Sequence, residues 1–173
     1  KVSHAGIAEV DATKSKLIAA KYNVTSFPTI LYKQDGVVGK YDGARTLEAL
    51  SFFLERMNSP AYLDIGSLAE IGDHSAFSDN VTFVLAHNSE KVDSVFLDQV
   101  ARLTTEFKSV ASKLKQHASF AIMRTSDRAL LANGDIALSK VEPSRGAIAM
   151  EGAAAASAAD VMQFVESNNY PLV

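Results

Sequence analysis

An α/β fold is predicted, built as two consecutive units of mixed sheet flanked by helices. Three observations predict it. Short β-branched and apolar runs alternate with helix-periodic runs along the whole chain. Each half closes on the same parts, a hairpin and then a helix, as folds that mix parallel and antiparallel strands do. Pro60, directly after Asn58-Ser59, separates the halves and sets expected domains of residues 1–59 and 60–173.

In the first half, Ile7 to Val10 reads as a short buried strand. Asp11 or Thr13 caps the helix that follows, with Leu17, Ile18 and Tyr22 turned inward. Thr29–Lys33 and Val37–Tyr41 form a hairpin around Gln34-Asp35-Gly36, whose Asp-Gly pair is a strong turn signal. Thr46 caps a helix with one apolar stripe of Leu47, Leu50, Leu54 and Met57, Phe53 beside them. Asn58-Ser59-Pro60 ends it.

The second half begins the pattern again. Ser67 to Ile71 is a short helix, Val81 to His87 a strand, and Ser94 to about Lys115 a long helix. In that helix Phe96, Val100, Leu103, Phe107, Val110 and Leu114 recur four and three apart. A coiled-coil seam has the same spacing, but flanking strands favour a core-facing helix. Ser119 to Arg124 is a second strand, and Asp135–Lys140 with Gly146–Glu151 a strand pair. Ser157-Ala-Ala-Asp160 has the form of a capping box and opens a last helix, with Val161, Phe164 and Val165 inward.

A weak internal repeat links the halves. Pro28-Thr-Ile-Leu-Tyr-Lys33 lies against Asp135-Ile-Ala-Leu-Ser-Lys140, and Tyr41-Asp-Gly43 against Met150-Glu-Gly152. In this register Asp135 stands where Pro28 stands, and Ala154 near the place of Arg45.

Composition narrows the chemistry. The chain has 173 residues, 47% of them hydrophobic, enough for a core. A formal net charge of −3 without a basic run argues against nucleic acid as the main partner. No stretch is long and apolar enough to cross a membrane, so any membrane attachment is expected from segments outside this chain. The chain begins at Lys1 rather than Met and close to a strand, and reads as an excerpt of a longer protein. It has no cysteine. The histidines, His4, His74, His87 and His117, lack metal-ligand spacing and read as surface or locally bonded groups, so neither metal nor cofactor is expected.

The stretch Asn23-Val-Thr-Ser-Phe-Pro-Thr-Ile30 organises the rest. Gly6-Ile-Ala-Glu-Val-Asp-Ala-Thr13 and Leu17-Ile-Ala-Ala-Lys-Tyr22 precede it; Asp35-Gly36 and Tyr41-Asp-Gly-Ala-Arg45 follow. Together they resemble the second half of a thioredoxin domain, in the version used by the protein disulfide isomerase family. There the pattern runs V-D-A-T, a helix, K-Y-x-V, aromatic-P-T and Y-x-G-x-R-T, and the match covers about Ile7 to Met57. The run Phe164-Val-Glu-Ser-Asn-Asn-Tyr-Pro-Leu-Val173 resembles the end of that family's redox-silent b-type domains. The resemblance implies a thioredoxin-like fold throughout: the C-terminal half of an a-type domain in residues 1–59, its C-x-x-C half absent, and a b-type domain in residues 60–173. The transmembrane thioredoxin-related branch is a candidate parent, since it too runs from an a-type into a b-type domain. Serine at position 26, where glycine is common, and alanine at position 44 depart from the pattern.

The resemblance also implies roles. Pro28 is expected to follow a cis peptide bond, which suits a proline at the first residue of a strand, or else is a trans proline in a loop entering an edge strand. It shields the family's thiols from metals, and the backbone before it pairs with an extended substrate peptide. Ser26, Phe27 and Pro28 are the candidate substrate-binding residues. Phe27 offers apolar contact to a client, or else is a core aromatic. Arg45 matches the arginine that approaches the buried second cysteine and lowers its pKa, or else is a solvated arginine near a helix start. Pro28 and Arg45 are thus supporting residues, and no catalytic residue is present. Asn23-Val-Thr25 and Asn80-Val-Thr82 are glycosylation sequons that agree with a secretory location, Asn80 being the better placed.

The expected function is therefore part of a thiol–disulfide oxidoreductase of the endoplasmic reticulum lumen. It acts on disulfides of folding secretory proteins, with the b-type domain as client-binding or spacer module. Thiol–disulfide exchange needs a thiolate, so the chain as given is redox-inactive. The alternative is a non-catalytic thioredoxin-fold chaperone or scaffold that binds unfolded polypeptide. A calcium store is disfavoured by the near-neutral charge. A thioredoxin sheet has its C-x-x-C strand between the strands at Ile7 and Thr29, so residues 1–59 are expected to need that strand supplied, by residues left out of this sequence, a swapped partner chain or a crystal neighbour.

Overall fold

A computed structural model describes residues 6–34, 36–73, 81–131, 134–142 and 146–168, with the Val37 side chain excepted. His4, Asp35, His74, Asn80 and the closing residues from Asn169 lie outside the described residues. The chain divides into two compact units, Lys1–Glu55 and Arg56–Val173.

The first unit is built on a hairpin. β1 (Ile30–Gln34) and β2 (Val37–Tyr41) pair antiparallel, Ile30 opposite Tyr41 and Gln34 opposite Val37. Two residues connect them, and Gly36 takes φ +83°, a left-handed value glycine adopts without steric cost. Tyr32 lies across Gly39, where a Cβ would fall inside its ring. That bare position lets Tyr32 reach Phe53 on α2 (Leu47–Asn58), edge to face at 5.1 Å, with Tyr41 at 4.9 Å on the same ring. Thr46 caps α2 as expected, its Oγ1 accepting from Ala49 N at 3.2 Å.

Ahead of the hairpin the expectations need correction. Residues 7–10 form no strand, and Ile7 is 93% exposed. A strand exists only with a neighbour to complete its ladder, and no described residue pairs with this stretch. α1 (Lys16–Lys21) is present, but Leu17 is 88% exposed, and Ile18 and Tyr22 are also open to solvent. A one-layer hairpin offers the apolar face of α1 nothing to pack against. The helix N-cap is Ser15, without a side-chain cap bond. Asp11 instead closes the turn before it, its Oδ1 accepting from Thr13 N at 3.1 Å.

The second unit carries a five-stranded sheet in the order β3-β5-β4-β6-β7. β3 (Leu63–Ile65), β5 (Ser119–Thr125) and β4 (Thr82–Asn88) run parallel; β6 (Ile136–Glu142) is antiparallel to β4, and β7 (Gly146–Ala149) to β6. One face, with Phe83, Leu85, Phe120, Ile122 and Leu138, packs on α4 (Ser94–Leu114) and α6 (Ala158–Asn168). The other, with Val84, Ala86, Ala121 and Met123, covers Ile71 of α3 (Glu70–Asp73) and Leu131 of α5 (Arg128–Leu131). The periodic stripe of α4 is core-facing: Phe96, Leu103, Phe107 and Val110 are all buried. Ser157 and Asp160 form the expected capping box, Asp160 Oδ2 accepting from Ser157 N at 2.8 Å and Ser157 Oγ from Asp160 N at 3.3 Å.

β3 and α5 escape the sequence reading. β3 is three residues long with Asp64 at its centre, and α5 is a single turn, so neither has room for a period. The helix expected at Ser67–Ile71 starts at Glu70, whose carboxylate reaches back to accept from Gly66 N and Ser67 N, both at 3.0 Å. The repeat register is off by one. The ladder pairs Ser139 with Ala149, which sets Leu138 rather than Ala137 opposite Met150.

Two predictions follow from this packing. A two-stranded hairpin is marginal in water, whereas β4 is paired on both edges and covered on both faces. Backbone amides of Ile30 to Tyr32 should therefore exchange with deuterium faster than that of Val84; equal protection in the monomer would contradict this. Within β6, Lys140 and Glu142 are both only 3% exposed and pair at 2.9 Å. Lys140→Met strands a buried carboxylate and should cost about 3–5 kcal/mol. The double variant Lys140→Met/Glu142→Leu should recover much of that loss in denaturant unfolding.

Candidate functional site

The site candidates of the first unit gather where α1 gives way to β1. The helix ends in a Schellman motif: Asn23 takes φ +49°, its N–H donates to Ala20 O at 3.2 Å, and Val24 N donates to Ala19 O at 2.9 Å. Asn23 of the first sequon is therefore the residue that stops the helix, a role the sequence reading missed. An asparagine just past a helix-periodic run was the available signal.

The chain then turns through Ser26, whose carbonyl accepts from Thr29 Oγ1 at 2.6 Å. The Phe27–Pro28 bond is cis. Phe27 is 61% exposed, so it is no core aromatic. Among the described residues its backbone N–H and C=O have no hydrogen-bond partner. Pro28 has no N–H to offer, and its carbonyl accepts from Arg45 Nη2 at 2.8 Å. Sequence positions 26, 27, 28 and 45 thus come together at one end of the hairpin, in advance of the first paired residue, Ile30.

Arg45 is placed from the other side of the hairpin. Tyr41 OH donates to Ala44 O at 2.8 Å, which bends the chain after β2, and Thr46 then starts α2. The aromatic trio Tyr32, Tyr41 and Phe53 underlies both segments. The sequence reading put Phe53 in the apolar stripe without seeing that it anchors the loop. The glycine directly opposite Tyr32 was the legible clue.

What this arrangement can do is bind an extended chain. It offers one unpaired backbone donor and acceptor, an exposed aromatic ring beside them, and a cation held to the loop by Pro28. It holds no thiol. Among the described residues no three His, Asp or Glu side chains gather to hold a metal. His117 sits in the turn after α4, and half-buried His87 at the end of β4, far apart in chain and fold.

The equivalent end of the second unit is filled differently. Asp135 accepts from Asn88 Nδ2 at 2.8 Å and from Lys91 Nζ at 2.7 Å. Those hydrogen bonds hold its carboxyl below the usual carboxylate value. Its backbone carbonyl accepts from Asn88 N at 2.8 Å. Asp135, which the sequence repeat sets against Pro28, is thus an ion-paired aspartate that ties β4 to β6. Ala154, near the place of Arg45, contributes only a carbonyl, accepting from Arg102 Nη2 at 2.8 Å.

The chain is similar to known proteins. The thioredoxin family matches residues 1–56. Protein disulfide isomerase-like 1-4 of rice is 29% identical over 174 residues, covering 96% of this chain and 29% of its own length. Protein disulfide-isomerase A3 of chicken is 28% identical over 130 residues, covering 72% of this chain and 23% of its own. The chain thus spans less than a third of either relative. Among solved structures, human ERp44 form II aligns with a TM-score of 0.50 at 19% identity, covering 95% of this chain and 42% of that one. That likeness shows the fold, a thioredoxin-like mixed sheet flanked by helices.

Arg45→Ala removes the hydrogen bond to Pro28 O, an exposed contact worth about 0.5–1.5 kcal/mol. The expected outcome is local. Amide exchange at Thr29 and Ile30 should quicken, while the denaturant midpoint of the second unit stays fixed. A shifted midpoint would show that Arg45 supports more than the loop.

Proposed function

We propose that this chain, thioredoxin sequence in its first 56 residues and a relative of the protein disulfide isomerases, presents unfolded polypeptide to a disulfide-exchanging site. The observation that carries the reading is the loop at Phe27–Pro28, with an exposed ring and an unpaired backbone side by side. A client segment in extended form adds to it as a strand, its backbone meeting that of Phe27 and its apolar side chains the Phe27 ring. Ser26 shapes the approach and Pro28 closes the ladder, because it has no N–H.

In the whole protein, residues 1–59 end an a-type domain and residues 60–173 form a b-type domain that binds clients or spaces the catalytic units. The thiols lie in the rest of that protein. One thiolate attacks a client disulfide, leaving a mixed disulfide and a client thiolate. A second thiolate displaces the client, or a client thiolate attacks in its place and isomerises the bond. Arg45 serves the second thiol by stabilising its thiolate. The endoplasmic reticulum lumen is the location that supports such chemistry, and Asn80 and Asn23 are candidate glycan sites there. A second reading, a thiol-free chaperone or scaffold, is favoured by the absence of cysteine from all 173 residues.

Both readings are tested on the purified chain. Insulin reduction should stay at background, because no thiolate is available. A fluorescein-labelled unfolded peptide should bind, and Phe27→Ser should weaken it about tenfold, as loss of a partly buried aromatic contact does. Unchanged binding by Phe27→Ser would remove the loop from the proposal.

A further inference from the structure

The second unit holds a cavity that no part of this reading uses. It opens at the carboxyl ends of the parallel strands β3, β5 and β4, on the face covered by α4, and measures about 470 Å³. Carboxyl ends of strands are where open α/β sheets bind ligands, and this volume falls in the range of small-molecule sites.

Its lining is unequal in charge. Pairing of β4 with β5 sets His87 beside Arg124, both turned to the α4 face as Leu85 and Ile122 are two residues earlier. Continuing the β3–β5 register sets Gly66 on the far side of Arg124, where no side chain fills the row. Thr104 and Lys108, one turn apart on α4, form the opposite wall. Ile122 supplies the apolar floor, while Ile65 borders the row by its backbone and turns its side chain to the opposite face.

The Arg124 side chain makes no ion pair or hydrogen bond among the described residues. Lys108 lies over the Tyr62 ring at 4.5 Å, and contact with Tyr62, then the charge of Asp64, holds its ammonium in the charged form. Asp64 is the one carboxylate among the lining residues, so the two permanent cations exceed it by one charge. Burial, and then the neighbouring Arg124, push the His87 imidazole below its usual value. Glu70, the nearest acid on α3, is occupied by the Gly66 and Ser67 amides. Cations sharing one concave, partly apolar site concentrate counter-ions there. Arginine beside a histidine offers fork-shaped donors to a flat or tetrahedral oxyanion.

We propose that this cavity binds a small organic oxyanion, its phosphate or carboxylate group between His87, Arg124 and Lys108 and its apolar body on Ile122. The site is independent of the Phe27–Pro28 loop and of any thiol chemistry.

The test is an NMR titration of the full chain with phenyl phosphate. Phenol serves as the uncharged control, and benzoate and inorganic phosphate separate the two anion classes and the apolar contribution. Phenyl phosphate should give saturable shifts at the Gly66 and Thr104 amides and the His87 ring, and should move the His87 titration upward, since a bound anion favours imidazolium. Arg124→Gln, at an exposed position, should weaken phenyl phosphate at least tenfold and leave phenol unchanged; Lys108→Gln should act in the same direction. Non-saturating shifts, equal binding of phenol and phenyl phosphate, or an unaltered response in both variants would each overturn the proposal.

Discussion

Backbone pairing is the constraint on which both units depend. A peptide group removed from water needs a partner, and leaving one unmade costs on the order of 1–3 kcal/mol. β4 satisfies this on both edges, against β5 and β6, and so tolerates burial on both faces. Its run of Val81, Phe83, Val84, Leu85 and Ala86 is nearly continuous in apolar residues for that reason. Everything else in the second unit is placed by it. α4 and α6 cover one side, α3 and α5 the other, and the strand's carboxyl end carries both the Asn88–Asp135 tie and the cavity beside His87.

The first unit obeys the same constraint with fewer partners. β1 and β2 satisfy only each other, residues 7–10 find no ladder, and α1 leaves its apolar side chains in solvent. What holds the hairpin in shape is aromatic. Tyr32 and Tyr41 close on Phe53, and Gly39 makes room for the first of them. These contacts position Arg45 and hence the carbonyl of Pro28. The loop proposed to receive clients is thus fixed at its base and open at its tip.

The second unit begins before Pro60. Arg56 of α2 is buried and donates to the carbonyl of Lys115 and to Ser119 Oγ, while Lys115 Nζ donates back to Met57 O at 2.6 Å. This exchange satisfies carbonyls at the end of one helix with a lysine that follows another. A charged residue within an amphipathic helix ordinarily marks the solvent side, so Arg56 gave no sign of burial. The same holds for Lys140 and Glu142, whose alternation along a strand is the mark of an outer face until both side chains turn inward and pair.

The sequence by itself determined the element types wherever a period had room to repeat. The stripe of α4, the Asp-Gly hairpin, the caps at Thr46 and Ser157, and the place of Pro28 could all be read because each rests on local chemistry. The loop site was legible for the same reason, since Ser26, Phe27 and Pro28 are contiguous and Arg45 follows a recognisable pattern. Tertiary structure alone decided which apolar residues were covered. Ile7, Leu17 and Phe27 carry the same hydrophobicity as Phe83 or Leu103, yet only the latter pair meets a second layer. It alone decided, too, that Asp64, His87, Lys108 and Arg124 share one cavity. Burial and charge convergence are properties of neighbours brought together by strand order, and strand order joins residues that are distant in sequence.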